Sequence, residues 1–312
     1  MTTTAYWTNG TRAVAMAVMC YALMGMTSDA IAQTSSASSA DQIAFDRPEA
    51  WAMKYFTSAT ALSGLSTPDS LNPGSLAIQL EIGWLPTLSA TQERVGYNGT
   101  TPEDLNKAPV FLRPRVALGL PHRLSIIVAV DPPIRAFGVT PRLLALGIEG
   151  VMHDSGTWRF GWRAHGQTGT VTAALTCPAD VVSFAPGSTS NPRGCTAESS
   201  DVTTLRYAGV EVQAARRIGR RLVPHAAAGV NVVDNIFQTN AQTFGQPDHT
   251  RLHARGVTLT TSAGIGVAVT ERFTIAADLF DAPLTVRRTA TSASSIDPMV
   301  NARALLTYRV FR

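Results

Sequence analysis

The sequence predicts an all-β protein, a closed antiparallel up-and-down barrel of about ten strands, with 8 to 12 strands compatible with the same pattern. Three observations predict it. Apolar and polar residues alternate with period two from residue 74 nearly to the end. The connections between the alternating segments are long and short in turn. After residue 33 no apolar stretch reaches the roughly 20 residues of a transmembrane helix, so a chain that enters a bilayer must do so as strands.

The N-terminus has the pattern of a secretory signal peptide. Arg12 precedes the apolar run 13–26, and Ala30-Ile31-Ala32 supplies the small residues of a signal-peptidase site. We therefore predict a signal peptide over residues 1–32, cleaved after Ala32. The alternative is an anchoring helix, for which the apolar run is short.

The next segment precedes the alternating region. Residues 33–73 are predicted to form an N-terminal periplasmic spacer with a short latch or helix between residues 48 and 65. Trp51, Tyr55 and Leu62 are compatible with one helical face, although Thr and Ser residues interrupt it. A hidden strand in this segment would be the alternative.

The region 74–312 is predicted to be the barrel. In its first strand Leu80 and Ile82 point to one side and Glu81 to the other, as in a strand with one apolar and one polar face. Ten segments repeat this alternation: residues 76–84, 110–120, 124–130, 144–149, 158–167, 208–214, 225–232, 257–269, 273–279 and 302–310.

The connections alternate in length, and this asymmetry is informative. The long connections are polar and rich in Gly, Pro, Asn and Thr, and the short ones are tight turns. The long ones cover residues 87–109, 131–138, 173–203, 234–254 and 281–298. The short ones cover residues 121–123, 154–156, 218–220 and 270–272. An even strand number brings both ends of the barrel to the side of the short turns.

This combination resembles Gram-negative outer-membrane β-barrel proteins over residues 74–312 and the signal. The last strand, Leu305–Phe311, resembles their C-terminal assembly signal, with Arg312 following the aromatic residue and Phe311 out of register with Tyr308. The resemblance implies location in the cell outer membrane, short periplasmic turns and long external loops. It also implies lipid, lipopolysaccharide and the barrel-assembly machinery as partners.

A soluble exported β-domain is the alternative fold. Such a domain would spread charge over its outside, whereas here the polar faces mix isolated charges with Gly, Ala, Ser and Thr. Aromatic residues near the predicted strand ends favour a bilayer, because their rings suit the interface between lipid and water. The predicted interfacial aromatics are Trp84, Trp158, Trp162, Phe273 and Tyr308.

Cysteine usage agrees with export. Without the signal peptide two cysteines remain, Cys177 and Cys195, both in one long loop. An even count in an exported chain predicts a disulfide. Closing a loop of this size stabilises a fold by roughly 3 kcal/mol.

The inward faces carry a predicted lumen charge cluster. Its members are Glu81, Arg113, Arg115, Glu149, Arg159, Arg163, His165, Glu211, Asp278, Arg303 and Arg309. Counting from the strand ends places Glu81 between Arg113 and Arg303, Asp278 near Arg303, Glu149 near Arg159 and Glu211 near Arg163. The cluster is interpreted either as an ion-pair ladder that fills the barrel or as a charged constriction that selects solutes.

The leading functional hypothesis is a narrow passive channel or a solute-binding barrel for a small solute. The alternative is a structural barrel whose external loops mediate adhesion or partner binding. An outer-membrane protease or lipid-modifying enzyme is the third class, with Asp234, Asp248 and His249 as rim residues to inspect. No cofactor or metal is predicted, because His249 and His253 fall in a loop. Nucleic-acid binding is excluded, since the arginines stand singly instead of forming a basic face.

Overall fold

The computed structural model describes residues 40–65, 67, 71–289 and 291–310. The predicted signal peptide, the start of the spacer and the final two positions lie outside the described residues. No helix in the described part is both long enough and apolar enough to cross a membrane.

Ten antiparallel strands form a closed barrel, as predicted. They are β1 (Leu76–Trp84), β2 (Val110–Leu120), β3 (Leu124–Asp131), β4 (Thr140–Asp154), β5 (Trp158–Ala173), β6 (Asp201–Arg216), β7 (Leu222–Gln238), β8 (Arg251–Ala268), β9 (Phe273–Ala282) and β10 (Met299–Arg309). Each strand pairs with the next in sequence, and β10 pairs with β1, from Ala302 opposite Trp84 to Arg309 opposite Ala77. Closure leaves no unpaired sheet edge for lipid to meet.

The two ends of the barrel differ in their connections. Residues 121–123, 155–157, 217–221 and 269–272 make the short-turn end, and the longer connections make the long-loop end. By the rule for such barrels the short-turn end faces the periplasm.

The barrel wall has unequal heights. Strands β1 and β3 have 9 and 8 residues, whereas β7 and β8 have 17 and 18. A spanning strand needs about 9–11 residues, so the taller strands project beyond the bilayer at the long-loop end. The predicted loop 234–254 is therefore too long: Asp234 and His253 belong to β7 and β8, because their ladder continues to Gln238 opposite Arg251.

Side chains are sorted with the apolar set outside. Leu112 and Leu279 on the outer face are 57% and 63% exposed, whereas Glu81 and Arg163 inside are fully buried. The outer apolar belt includes these strongly exposed aliphatic residues: Ile78, Leu112, Leu146, Val212, Val232, Val257, Leu259 and Leu279. A soluble monomer rarely exposes a contiguous apolar surface of this extent. This sorting excludes the soluble alternative and identifies hydrocarbon as the outer solvent.

The N-terminal segment occupies the barrel interior. We call residues 40–65 the plug. Its short strand Asp41–Gln42 lies parallel to β8 at Leu252 and His253, at the long-loop end. Its helix α1 spans Pro48–Ala59, with Pro at its start and Glu49 in its first turn, both favourable there.

This position corrects the predicted periplasmic spacer. All residues of α1 except Phe56 are buried, and a helix buried on every side must lie within the protein. Residues 72–75 lie at the opposite end, where the Gly74 amide donates to the Gly119 carbonyl at 2.9 Å. The segment thus runs down the lumen from the long-loop end to the short-turn end.

The apolar core lies around α1. Trp51 stacks on Tyr55 with ring centroids 5.5 Å apart, and both pack against residues of the loops and of β9 and β10. The buried cluster includes Leu88, Leu105, Phe280 and Met299. The long-loop half of the barrel is therefore packed like the interior of a soluble protein.

The predicted disulfide is confirmed. Cys177 and Cys195 are bonded, with Cα atoms 5.7 Å apart. Cys195–Ala197 pairs with Ala241–Thr243, which pairs in turn with Gln246–Asp248. This small sheet extends the tall side of the barrel beyond the bilayer.

Candidate functional site

The lower part of the plug, residues 60–65, which we call the strap, is held by charged side chains of the barrel wall. Three guanidinium groups donate to its carbonyl oxygens: Arg113 to Thr60 at 2.6 Å, Arg303 to Ala61 at 3.1 Å and to Ser63 at 2.6 Å, and Arg163 to Gly64 at 2.9 Å. These charge-assisted hydrogen bonds are stronger than neutral ones. They replace the water that a buried backbone carbonyl would otherwise need.

Acceptors on the wall meet the strap's amide groups in the same way. The Leu62 amide donates to the Tyr207 hydroxyl at 2.6 Å. Glu211 accepts from the Ser63 hydroxyl at 2.6 Å and from the Gly64 amide at 3.0 Å, and Asp278 accepts from the Leu65 amide at 2.7 Å. The lumen charges thus bind the backbone of the strap, which bends at Gly64 and Leu65.

Gly64 lies where any residue with a side chain would have to displace neighbouring atoms of the barrel wall. Its φ of 68° lies in the left-handed region that favours glycine. A Cβ atom there would lie 2.5 Å from the Ser262 hydroxyl and 2.8 Å from an Asp278 carboxylate oxygen. The strap therefore passes in close contact with the wall.

Glu81 lies at the centre of a buried ion-pair group. Arg115 donates to it through two nitrogens, and Arg113 and Arg303 lie 3.6 and 3.9 Å away. Arg113 also pairs with Asp131 at 3.0 Å. One carboxylate meeting three guanidinium groups compensates part of the cost of burying them.

A second buried group is centred on Arg163. Its guanidinium lies 2.8 Å from Glu149 and 2.9 Å from Glu211. The predicted neighbour of Glu149 was Arg159, but Arg163 is its register partner. Arg159 lies opposite Asp154, 2.9 Å away at the short-turn end. The predicted partner is therefore four positions away from the observed one, whereas the irregularity between Val151 and His153 changes the register by only one residue.

The remaining predicted residues take different positions. His165 is buried against Tyr207, with ring centroids 5.5 Å apart, and Arg303 lies 3.5 Å from Asp278. Arg309 is half-buried near the short-turn end. Among the predicted interfacial aromatics, Trp84, Trp158 and Tyr308 are exposed on the outer face, and Trp162 and Phe273 are half-buried.

Sequence reasoning missed the strap itself. Its residues Ala61-Leu62-Ser63-Gly64-Leu65 contain no charge and no strand alternation. It also missed Tyr207, whose polar tip faces the lumen, and Asp131, which was assigned to a loop. A Ser-Gly pair next to a predicted helix was the available signal, and it specifies only a bend.

Two cavities flank the strap. The first, which we call the chamber, has a volume of about 450 Å³ and opens through the wall beside β2. Its lining joins outward-facing Leu112 and Pro114 to the plug residues Tyr55, Phe56 and Ala59. The chamber thus connects the lipid-facing surface with the plug.

The chamber exists because the wall is incompletely paired. Strand β2 pairs with β3 only from Arg115 opposite Ala129 down to Leu120 opposite Leu124, so residues 110–114 have no partner on that side. Proline cannot donate to a strand ladder and therefore favours such gaps. The prolines lining the chamber are Pro86, Pro109, Pro114, Pro132 and Pro141.

The second cavity, which we call the vestibule, has a volume of about 630 Å³ and lies at the short-turn end. Leu65 and Arg115 are at its inner end. Arginines of the β6–β7 turn and three carboxylates, Glu149, Asp154 and Glu271, also line it.

Burial also shifts the pKa values of two ionisable side chains outside the membrane-spanning segments, Lys54 and Glu103. Burial lowers the pKa of Lys54 in α1 to about 8, and its amine donates to the carbonyls of Phe45 at 2.7 Å and Thr285 at 2.6 Å. Burial also raises the pKa of Glu103, in the β1–β2 loop, to about 7 despite its pairing with Arg193.

The rim residues considered for catalysis do not form an evident constellation. His253 pairs with Asp234 on neighbouring strands, His249 lies 3.2 Å from Asn240, and Asp248 accepts from Thr250. Within the described ranges, no group of three or more His, Cys, Asp or Glu residues could hold a metal ion.

Comparison with known proteins returned no matching family model and no matching curated protein. Solved structures that are similar include the outer-membrane protease OmpT of Escherichia coli, at 10% identity and a TM-score of 0.39 over 76% of this chain and 92% of that one. They include the attachment invasion protein Ail of Yersinia pestis, at 13% identity and a TM-score of 0.28 over 76% and 99%. They also include the toluene transporter TodX of P. putida, at 10% identity and a TM-score of 0.28 over 77% and 69%.

The class of protein follows from the barrel itself. A closed ten-stranded antiparallel barrel with an apolar outside and a charged inside is an outer-membrane β-barrel protein. The chain is accordingly a protein of the outer membrane.

Proposed function

We propose that this barrel binds an apolar small molecule, which it takes from the external leaflet of the membrane into the chamber. The observation that carries the proposal is the chamber's lining, which is continuous from the lipid-facing Leu112 to the plug residues Tyr55 and Phe56. Of the sequence-based hypotheses, this corresponds to the solute-binding barrel.

The size and chemistry of the chamber support this class of ligand. Small-molecule sites are mostly apolar cavities of about 300–1,000 Å³ with a few polar groups. The chamber volume of about 450 Å³ falls in that range. Polar groups such as Asn106 and Asp131 are few among its aliphatic and aromatic residues.

The height of the opening supports entry from lipid. Val110, at the top of the unpaired part of β2, lies opposite Trp84, an exposed aromatic at the long-loop end of β1. Such aromatics lie at the boundary between hydrocarbon and headgroups. An apolar solute dissolved in the external leaflet would therefore meet the opening directly.

The plug argues against an open channel along the barrel axis. Residues 48–65 lie across the lumen and, apart from half-buried Phe56 and Thr60, are buried. The strap is hydrogen-bonded by side chains that both donate and accept. Passage to the periplasm would require the strap to move, so binding is the function that this arrangement supports.

Binding can be tested with a fluorescent apolar probe, N-phenylnaphthylamine, on protein in nanodiscs, with empty nanodiscs as the baseline. Val139→Trp adds bulk to the lining of the chamber, and Val267→Trp is the matched control on the outer face away from it. We expect saturable binding that weakens at least about tenfold in Val139→Trp alone, which corresponds to about 1.4 kcal/mol. Absence of a saturable component, or equal affinity in both variants, would refute the proposal.

A second candidate, adhesion through the external loops, is favoured by the sheet around the disulfide. The loop closed by the disulfide exposes Phe184, and the turn of the sheet exposes Phe244; the two side chains are 49% and 62% exposed. Binding of intact cells to immobilised host-matrix proteins should fall in Phe184→Ser/Phe244→Ser if these loops are adhesive. Unchanged binding, or none in the parent protein, would remove this candidate.

A further inference from the structure

A separate site lies at the opposite end of the barrel from the chamber. The vestibule is lined by Arg159, Arg217, Arg220, Arg221 and Arg309, and its inner end by Arg115. Three of these arginines belong to one turn, between β6 and β7, where Gly219 with a φ of 63° allows the chain to reverse tightly.

Two of the three carboxylates of the vestibule, Glu149 and Asp154, are paired with arginines. Glu149 lies 2.8 Å from Arg163, and Asp154 lies 2.9 Å from Arg159. The side chains of Arg217, Arg220 and Arg221 make no hydrogen bond or salt bridge to other residues in the described part of the chain. The mouth of the vestibule therefore presents three guanidinium groups whose donors are available to a ligand.

The surroundings of these arginines suit an anion with an attached apolar part. Guanidinium forks match the oxygens of phosphate and carboxylate bidentately. The hydroxyls of Thr157, Thr270 and Thr307 line the same cavity. Deeper in, aliphatic residues line part of the wall beside Gln79 and Arg115; they are Leu65, Leu71, Ala117, Ile127, Ala276 and Leu305.

We infer that the vestibule is a binding site for an organic phosphate, with the phosphate held by Arg217, Arg220 and Arg221 and the apolar portion directed toward the strap. The ligand is either a phospholipid taken from the inner leaflet into the vestibule or a soluble phosphate ester of the periplasm. Both present the same chemistry to the arginines.

Binding should be measured by calorimetry on the intact protein in nanodiscs of a zwitterionic lipid. The probes are lysophosphatidate, which carries a chain, and glycerol phosphate, which does not. The test variant is Arg217→Gln/Arg220→Gln/Arg221→Gln. The matched control is Arg123→Gln/Arg272→Gln, which removes exposed arginines of other short turns that do not line the vestibule.

We expect the parent protein and the control to bind at least one probe, and the triple variant to bind it at least about tenfold more weakly. Because charged groups near the surface are screened, affinity should also fall as salt rises. Binding of lysophosphatidate alone assigns the lipid source, and similar binding of both probes assigns the soluble source.

Either of two results overturns the inference: no saturable binding of either probe, or equal affinity in the triple variant and the parent. A heat-modifiability gel establishes that all variants are folded, since a closed barrel migrates differently until boiled. The site is independent of the chamber, so its failure would leave the proposed apolar ligand untouched.

Discussion

The two halves of the lumen differ in what fills them. In the long-loop half, α1 and the strap occupy the space, with fully buried residues such as Trp51 and Arg163. In the short-turn half, a cavity of about 630 Å³ remains, and the arginines of the β6–β7 turn are exposed at its mouth. The same barrel wall surrounds both.

The difference shows that similar charged residues act differently according to their surroundings. A buried arginine without its partner carries an uncompensated charge, which costs several kcal/mol. An exposed arginine is solvated and adds little to stability. The long-loop half should therefore determine folding, and the short-turn half should be free to serve a ligand.

The largest effect should follow removal of the plug. Deleting residues 40–65 removes the segment that fills the lumen and exposes the charged side chains of the barrel wall to water. We expect discrete conductance steps in planar bilayers where the parent protein is silent. If the parent protein already conducts with steps of the same size, the conclusion that the plug closes the long-loop half would be wrong.

Replacement of Arg163 tests the cost of a buried charge. Arg163→Met leaves Glu149 and Glu211 without their shared partner and should lower the free energy of unfolding by about 3–5 kcal/mol. Urea unfolding in detergent measures this. Adding Glu211→Gln should recover part of the loss, whereas Arg220→Gln in the vestibule should leave the midpoint nearly unchanged. Equal losses of unfolding free energy in Arg163→Met and Arg220→Gln would contradict the distinction between buried and exposed arginines.

Removal of the disulfide tests whether the long-loop half and the vestibule are independent of each other. Cys177→Ser/Cys195→Ser releases a loop whose ends are 18 residues apart, worth roughly 3 kcal/mol on the chain-entropy model. We expect faster proteolysis within residues 174–200 and no change in probe binding at the vestibule. Loss of vestibule binding would show that the two halves are coupled.

The smallest effect concerns pH. Burial holds the pKa of Glu103 at about 7, above its ordinary value of 4.5. Because the folded-state pKa is raised, the stabilisation is complete below pH 4.5 and is lost as pH rises through about 7. The melting temperature of the parent protein should therefore exceed that of Glu103→Gln by more at pH 5 than at pH 8. A difference between the two proteins that does not vary with pH would refute this.

Much of the barrel could be predicted because strand alternation is local. Leu80 and Ile82 face lipid and Glu81 faces the lumen because successive strand residues point to opposite sides. The strand ends were less predictable. Asp234 and His253 extend β7 and β8 beyond the bilayer, where water meets both faces and the apolar signal disappears.

Other features depended on long-range contacts. The pairing of Glu149 with Arg163 depended on the register between β4 and β5, and the position of the plug depended on hydrogen bonds between residues far apart in sequence. A helical pattern at residues 48–59 predicts a helix but does not indicate that the helix lies inside the barrel.

The sequence by itself determined that ten segments sort their side chains between hydrocarbon and an enclosed interior, because period-two alternation is written in neighbouring residues. Only the tertiary structure decided that the interior is occupied by the chain's own N-terminal segment and that the wall is open beside Pro114. Both depend on which distant backbone groups find partners, and no local pattern encodes that choice.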